Sequence, residues 1–363
     1  MSQRTVKLSE ISNIYSGGGA PQNQNDFTEN GTPFIRAGSL IKLLNGTTEN
    51  DLEKLGDSVA RKHRLIKHKS NSVVFAKSGM SATKGHIYRL KNDCFVVNHL
   101  AIIEPNKNIE PSYLEHVLKV VQPTKLILDV AYPSIRLGDI ANFEIPLPPL
   151  AEQKRIAAIL DKANEIKAKR ELALSKLDDF EDSIFNKMFE QSSNAQASLK
   201  EICEFKYGKS LPSEKRISGK IKVYGSNGVV GSHETALTKG PTIIVGRKGS
   251  YGEINFSDVS CFPIDTTYYI DSTASKQNLV WLAKALSKLG LNKMNKSAAV
   301  PGLSREDAYR QLVKLPSLQK QIEFEEITKR INHERDKYRL FLSESIALNQ
   351  SLQNQAFTTG FNA

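Results

Sequence analysis

The sequence predicts an α+β fold built twice: two similar globular domains joined by two long antiparallel coiled-coil helices, related by a pseudo-twofold repeat. Three observations predict it. The second half of the 363-residue chain echoes the first, and internal repeats take precedence over any local reading. Each half mixes short β-type runs and Gly-rich turns with one helix-spaced apolar stretch. Each half then ends in a long segment, 150–189 and 318–355, free of Gly and Pro.

In chain order, the first domain is expected over 1–147. Its start, Leu8-Ser9-Glu10-Ile11 followed by Tyr15-Ser16-Gly17 and Pro21, is answered 191 residues on by Leu199-Lys200-Glu201-Ile202, Lys206-Tyr207-Gly208 and Pro212. Val73–Gly79 is answered by Ile243–Gly249 at an offset of 170, and Cys94-Phe95 by Cys261-Phe262 at 167. Tyr132–Arg136 answers to Val300–Ser304, and Leu147–Leu150 to Leu315–Leu318, both at 168. The drop in offset places about twenty extra residues between Leu40 and Asn71, with the basic runs Arg61-Lys62-His63-Arg64 and Lys67-His68-Lys69. Loops elaborated on a rigid scaffold are where specificity is usually placed. Phe95-Val96-Val97 and Ile243-Ile244-Val245 read as short buried strands. Leu114, Leu118 and Val121, matched by Leu282, Leu286 and Leu289, recur at helical spacing.

The run Pro146-Leu147-Pro148-Pro149 stops the domain and starts a spacer helix over 148–192. The second domain follows at 193–315, and Pro316 starts the second spacer helix, 316–358. A heptad frame in the first helix reads Ile156, Ile159, Ala163, Ile166, Arg170, Ala173, Leu177, Phe180, Ile184. Shifted by 168 it reads Phe324, Ile327, Ile331, Glu334, Tyr338, Phe341, Ser345, Leu348, Leu352. Most are apolar, as a coiled-coil seam requires. Two such helices separated by a domain-sized insert pair most simply antiparallel.

The net charge is +11, which favours a polyanionic partner. No apolar stretch approaches the length of a membrane span, and Met1–Val6 leads into no signal-peptide core. Cys94, Cys203 and Cys261 are few and far apart, suiting a reducing, cytoplasmic setting. Roughly 38 helical residues make a rod of about 57 Å, against ~34–36 Å for a turn of B-DNA. Two similar but non-identical domains on such a spacer point to a bipartite, asymmetric double-stranded DNA target with an unread gap. Lys and Arg neutralise phosphates, while Arg, Lys, Asn, Gln and Ser address base edges. The candidates in the first domain are Arg36, Arg61, Lys62, Arg64, Lys77, Ser78 and Lys84. In the second they are Lys206, Lys209, Tyr224, Ser226, Asn227, Arg247, Lys248, Ser250 and Tyr251. The interleaved glycines let backbone amides approach phosphate.

The segment Ile145-Pro146-Leu147-Pro148-Pro149-Leu150-Ala151-Glu152-Gln153-Lys154-Arg155-Ile156 resembles the start of the central conserved region in specificity subunits of type I restriction-modification systems. So do Pro33-Phe34-Ile35-Arg36 followed by Gly38, and Ser72–Gly79. The resemblance covers essentially the whole chain. It implies a non-catalytic subunit with two target-recognition domains, each reading half of a bipartite site. It also implies helices that dock two adenine-methyltransferase subunits. S-adenosylmethionine belongs to those subunits, and ATP and magnesium to separate motor-nuclease subunits. No cofactor, metal or membrane is implied for this chain. On that basis Pro148, Glu152, Gln153, Arg155, Ile156, Pro316 and Gln321 are candidates for holding the methyltransferases; helix capping and coiled-coil packing would equally account for them. Lys320 stands where the first helix has Glu152, so the two contacts are expected to differ in strength.

Enzyme readings lack their motifs. No Asn/Asp-Pro-Pro-Tyr/Phe loop and no Gly-x-x-x-x-Gly-Lys-Ser/Thr loop occurs, and Gly246–Gly252 has the wrong spacing for a dinucleotide fingerprint. Asp139 with Glu152-Gln153-Lys154 would need a strand to build a nuclease site, and here Glu and Lys sit on a proline-started helix. His63, His68, His86 and His99 lack ligand spacing. Two alternatives remain: a coiled-coil scaffold with basic ends that reads no DNA, and a specificity subunit serving a fused methyltransferase-nuclease.

Overall fold

The structure, a computed structural model, describes residues 4–189, 195–294 and 302–359. The chain divides into two compact units, Met1–Arg170 with Phe341–Ala363, and Glu171–Leu340. Each unit therefore combines one globular domain with portions of both long helices, and the unit boundaries fall inside those helices.

The repeat is visible strand by strand. In the first unit a four-stranded antiparallel sheet has the order Ser12–Ser16, Leu100–Pro105, Val73–Ala76, Ile87–Arg89. In the second the same order is Lys206–Tyr207, Thr267–Asp271, Thr242–Gly246, Ile254–Ser257. A short sheet ties the start of each domain to its end, Thr5–Lys7 with Glu144–Pro146 and Gln196–Ser198 with Leu312–Lys314. A parallel pair recurs as Phe34↔Phe95 and Val223↔Phe262, which bears out the Cys-Phe correspondence. The counterparts of Tyr132 and Pro133, Val300 and Pro301, lie outside the described residues.

The helix expected in each domain is Pro111–Val121 and Leu279–Lys288. Leu114, Val117 and Leu118 in one, and Leu282, Ala285 and Leu286 in the other, face the cores. The single tryptophan, Trp281, is 1% exposed in the second core. All three cysteines are buried and unpaired, and burial pushes the Cys203 thiol up to about 12.

The extra residues of the first domain fold as helices Ser39–Leu44 and Asp57–Lys62 and strands Lys54–Leu55 and Lys67–His68. Together with Phe27–Thr28, these strands extend the parallel pair into a five-stranded sheet. Glu49, 2% exposed, anchors this insert: its carboxylate accepts from the backbone N–H groups of Lys91 and Asn92, both at 2.7 Å, and from Asn92 Nδ2 at 2.8 Å. The second domain has instead a hairpin, Ile221–Gly225 with Gly228–His233.

The long helices are Leu150–Phe189 and Leu318–Asn354. Within each unit they run antiparallel. In the first, Asn349 Nδ2 donates to Asn164 Oδ1 at 2.6 Å, and Arg170 donates to Phe341 O and Ser345 Oγ. In the second, Arg335 donates to Asp178 and Glu181, both at 2.9 Å, and Phe185 meets Phe324 edge-on at 5.3 Å. The expected heptad frame is half right. Ile156, Ala163, Arg170, Leu177 and Ile184 face inward, with Phe324, Ile331, Tyr338, Ser345 and Leu352. The alternate column is displaced by one residue, to Leu160, Lys167, Leu174 and Glu181, and to Thr328, Arg335, Leu342 and Asn349. Ile166, Phe180, Phe341 and Leu348 are exposed instead. Polar residues meet across this seam, as Arg335 with Asp178 and Glu181 and Asn349 with Asn164, so counting apolar residues selects the neighbouring column.

A buried glutamine joins helix to domain in each unit. Gln153 accepts from the Glu110 N–H at 2.9 Å and donates to Pro148 O at 2.9 Å and Asn108 O at 3.2 Å. Gln321 accepts from the Asn278 N–H at 2.9 Å and donates to Pro316 O at 3.0 Å and Gln277 Oε1 at 2.9 Å. The first joint has a second clasp: Asp161 accepts from Ser112 Oγ and from His116 Nε2 at 2.8 Å. The hydrogen bond from His116, ahead of that from Ser112, holds the Asp161 carboxyl down to about 2, against a cost from burial.

Two outcomes are expected. Gln321→Ala strands a buried N–H and a buried carbonyl, lowering stability by about 2 kcal/mol or more; the urea midpoint reported by Trp281 fluorescence should fall. Because Asp161 is depressed in the folded state, its stabilisation is complete above the ordinary carboxylate value near ~3.9 and is lost as pH falls toward about 2. Thermal unfolding followed by circular dichroism should therefore show a drop in stability between about pH 4 and pH 2 that Asp161→Asn flattens.

Candidate nucleic-acid interface

Each domain places a tight loop after the second inner strand of its four-stranded sheet, and the two loops share their backbone bonding. In the first unit Lys77 N–H donates to His99 O at 2.9 Å, and Ile135 N–H to Lys77 O at 2.7 Å. In the second Arg247 N–H donates to Thr266 O at 2.9 Å, and Leu303 N–H to Arg247 O at 2.9 Å. Isolated bridges join Ser78 to Ser134 and Lys248 to Gly302. Gly79 and Gly249 both take φ +73, the left-handed region that glycine allows.

A second loop packs beside the first. Gly17 N–H donates to Leu100 O at 3.3 Å and Gly208 N–H to Thr267 O at 3.1 Å. A Cβ on Gly17 would stand 2.2 Å from Val96 O, and one on Gly208 2.1 Å from Ile264 O. These glycines are required by close approach to backbone, whereas Gly79 and Gly249 have open space around the missing Cβ.

The side chains on this shared frame differ. In the first unit Ser78 Oγ and His99 Nδ1 are hydrogen-bonded at 2.8 Å. The insert reaches the same corner, because Leu65 packs where a Cβ on Gly18 would sit, 2.4 Å from its Cδ2. Arg61, Lys62 and Arg64 just before it are exposed. Arg36 is tied down by Glu53 at 2.7 Å and lies over Phe27 and Phe34 at 5.2 and 5.3 Å. Lys84 is exposed and closes the turn Met80–Lys84, where a Cβ on the following Gly85 would meet Gln122.

In the second unit Arg247 lies over Tyr207 at 5.3 Å and Tyr268 at 5.9 Å. Its Nε and one terminal nitrogen donate to Asp265 O at 3.2 and 2.6 Å. Burial pushes the Tyr268 hydroxyl up to about 12, so it stays neutral. Lys209, Asn227, Lys248 and Ser250 are exposed around this centre, and Tyr251 packs partly against the core. Three candidates are placed otherwise. Lys206 pairs with Asp271 at 3.0 Å. Tyr224 is 6% exposed, and Ser226, 8% exposed, donates inward to Thr266 O at 2.6 Å. Tyr224 and Ser226 support the loop from beneath, and their place on the strand Ile221–Gly225 and its turn explains the burial. Arg305 lies 5.4 Å from the Tyr207 ring and 5.8 Å from that of Tyr309; like His99 beside Ser78, these two come from distant segments and carry no local motif.

Of the residues expected at a docking surface, Glu152 is part-exposed and Arg155 exposed near the start of the first long helix, and they pair at 2.8 Å. Pro148 is half-buried. Gln153, Ile156 and Gln321 are at most 1% exposed, and Pro316 is buried. Their side chains have no surface left for a partner; they hold the helix–domain joint.

The family model of the type I restriction modification DNA specificity domain matches residues 3–175 and again 193–336. The chain belongs to this family. Among its relatives, the specificity subunit of the type I restriction enzyme MjaIX of Methanocaldococcus jannaschii is 25% identical over 146 residues, 39% of this chain and 33% of that protein. The match thus spans about a third of that relative's length. Among solved structures, the S subunit of a type I restriction-modification system from M. genitalium aligns with a TM-score of 0.67 at 18% identity, covering 98% of this chain and 96% of that one. A chain from a structure concerned with assembly and conformational transition of the type I system aligns with a TM-score of 0.57 at 17% identity, covering 98% of both. At these identities the likeness is one of fold, and it is the fold of a type I specificity subunit. The doubled family match falls on the two repeats that the strand orders display. Among the described residues no group of acidic, His or Cys side chains is placed to hold a metal, and no helix is long and apolar enough to cross a membrane.

For this type I specificity domain the two classes of glycine separate experimentally. Gly208→Ala forces the backbone at Ile264 to move and should reduce the soluble, folded yield. Gly249→Ala meets only left-handed strain, about 1–2 kcal/mol. Urea denaturation of both variants should show the larger loss for Gly208→Ala.

Proposed function

We propose that this chain is the non-catalytic, DNA-reading subunit of a type I restriction-modification complex. Each target-recognition domain, 1–147 and 193–315, reads one half of a bipartite, asymmetric site in double-stranded DNA. The observation that carries this reading is one loop frame used twice with different side chains, Lys77-Ser78 with His99 in one unit and Arg247-Lys248 with Tyr207 in the other. A shared frame with different chemistry suits two non-identical half-sites. The exposed basic groups Arg61, Lys62, Arg64, Lys84, Lys209 and Lys248, with the part-buried Lys77, are proposed to hold phosphates, with Ser78, Asn227, Arg247 and Ser250 available to base edges. Arg36, Lys206, Tyr224, Ser226 and Tyr251 shape the surface rather than extend from it.

The spacer helices, 148–192 and 316–358, set the unread gap and dock two methyltransferase subunits, with Pro148, Glu152 and Arg155 at the entry of the first. Those subunits bind S-adenosylmethionine and transfer the methyl group. Motor-nuclease subunits hydrolyse ATP with magnesium and cut. The complex works in the cytoplasm.

Single-molecule mapping of methyl-adenine in source cells, with and without the gene, tests this. Loss of one bipartite motif on deletion is the expected result; no change would overturn the reading in favour of a scaffold that reads no DNA. Exchanging 193–315 for the same segment of another such subunit should alter one half-site only. A change in both would end the modular assignment.

A further inference from the structure

We propose that Arg305 acts with Arg247 as a guanidinium pair, fixed on the ring of Tyr207, that reads a guanine in the half-site addressed by the second unit. The inference rests on the function proposed above. Tyr207 is 52% exposed, so its ring lies at the surface. The two guanidinium carbons lie 5.3 and 5.4 Å from its centroid, one from Arg247 and one from Arg305. Each has a second aromatic face, Tyr268 for Arg247 at 5.9 Å and Tyr309 for Arg305 at 5.8 Å.

Those rings are themselves anchored. Tyr268 donates its hydroxyl hydrogen to Leu303 O at 3.2 Å, and Tyr309 accepts the Phe205 N–H at 3.0 Å. Arg305 opens the short helix Arg305–Tyr309, directly after the segment that pairs with the Arg247 loop. Both arginines are thus ordered before any ligand arrives, and little further rotamer entropy is lost on binding.

Their charge is unmet. Among the described residues neither guanidinium has a carboxylate partner, although other arginines and lysines of this unit do. Arg247 keeps one terminal nitrogen free of its bonds to Asp265 O, and the Arg305 Nε is buried without a partner. Two cations held on one ring without a counterion fit an electronegative edge. A phosphate asks for charge and tolerates a flexible lysine. A fixed guanidinium plane suits the paired O6 and N7 acceptors of guanine, the commonest specific base contact.

Among the described residues the first unit has no such pair. The positions matching Arg247, Tyr207 and Arg305 by the repeat offsets are Lys77, Ser16 and Leu137. The guanine requirement therefore belongs to one half-site.

The test is the methylation motif of the complete complex in cells, for the wild type, Arg305→Ala and Arg305→Lys. Trp281 fluorescence serves as the folding control, and the half-site of the first unit as the internal one. Both variants should lose discrimination about 10- to 100-fold at one guanine of the second unit's half-site, because lysine keeps the charge and not the fork. An even fall in methylation across sequences, restored by Arg305→Lys, would make Arg305 a phosphate contact and overturn the inference. So would an unchanged motif, or a wild-type half-site without guanine there. Absence of any gene-dependent motif in the wild type would instead remove the proposed function, and this inference with it.

Discussion

In each unit a fully buried glutamine on the first turn of a long helix binds three backbone or amide groups that meet nowhere else. Gln153 joins the Asn108–Glu110 turn to the Pro148 carbonyl, and Gln321 joins Gln277 and Asn278 to Pro316. The amide is suited to this work because it accepts and donates at once without carrying charge into a dry site. This joint ties each domain to its helix, and in the first unit Asp161 adds a clasp to Ser112 and His116. The proline before it stops the strand, the helix begins, and the domain's own helix starts beside it.

The seam between the helices answers the same constraint differently. A wholly apolar stripe would let antiparallel helices slide by a heptad with little penalty. Arg335 between Asp178 and Glu181, Asn164 against Asn349, and Arg170 on Ser345 each permit one register. A half-buried guanidinium left without its carboxylates is strongly unfavourable, so shifted pairings are disfavoured. The same groups explain the exposed Ile166, Phe180 and Leu348, apolar residues that the polar seam leaves outside.

The domains separate what is invariant from what varies. Backbone bonds, left-handed glycines and crowded glycines build one frame in both. Side chains on that frame are free to differ, because its hydrogen bonds come from the backbone. The insert of the first unit and the hairpin of the second enlarge the contrast without disturbing the central sheets.

Much of this was legible in the sequence. The repeat, its anchors, the insert and the long helices followed from residue identity and spacing alone, because strand, turn and helix signals are local. Ser78, Lys77, Arg247 and Lys248 stand out in the sequence because they lie in the repeated motif itself. Arg305 and His99 do not, because the fold brings them beside Tyr207 and Ser78 from segments with no motif of their own. For Gln153 and Gln321 the sequence leaves docking and packing open, since a polar residue on a helix gives no sign of burial until its partners are placed. The seam column was misassigned for the same reason. By itself the sequence determined the doubled architecture and the order of its elements. Only the tertiary structure decided which polar residues face inward and which cations share one ring, because hydrogen bonds and aromatic contacts depend on distances between residues far apart in the chain.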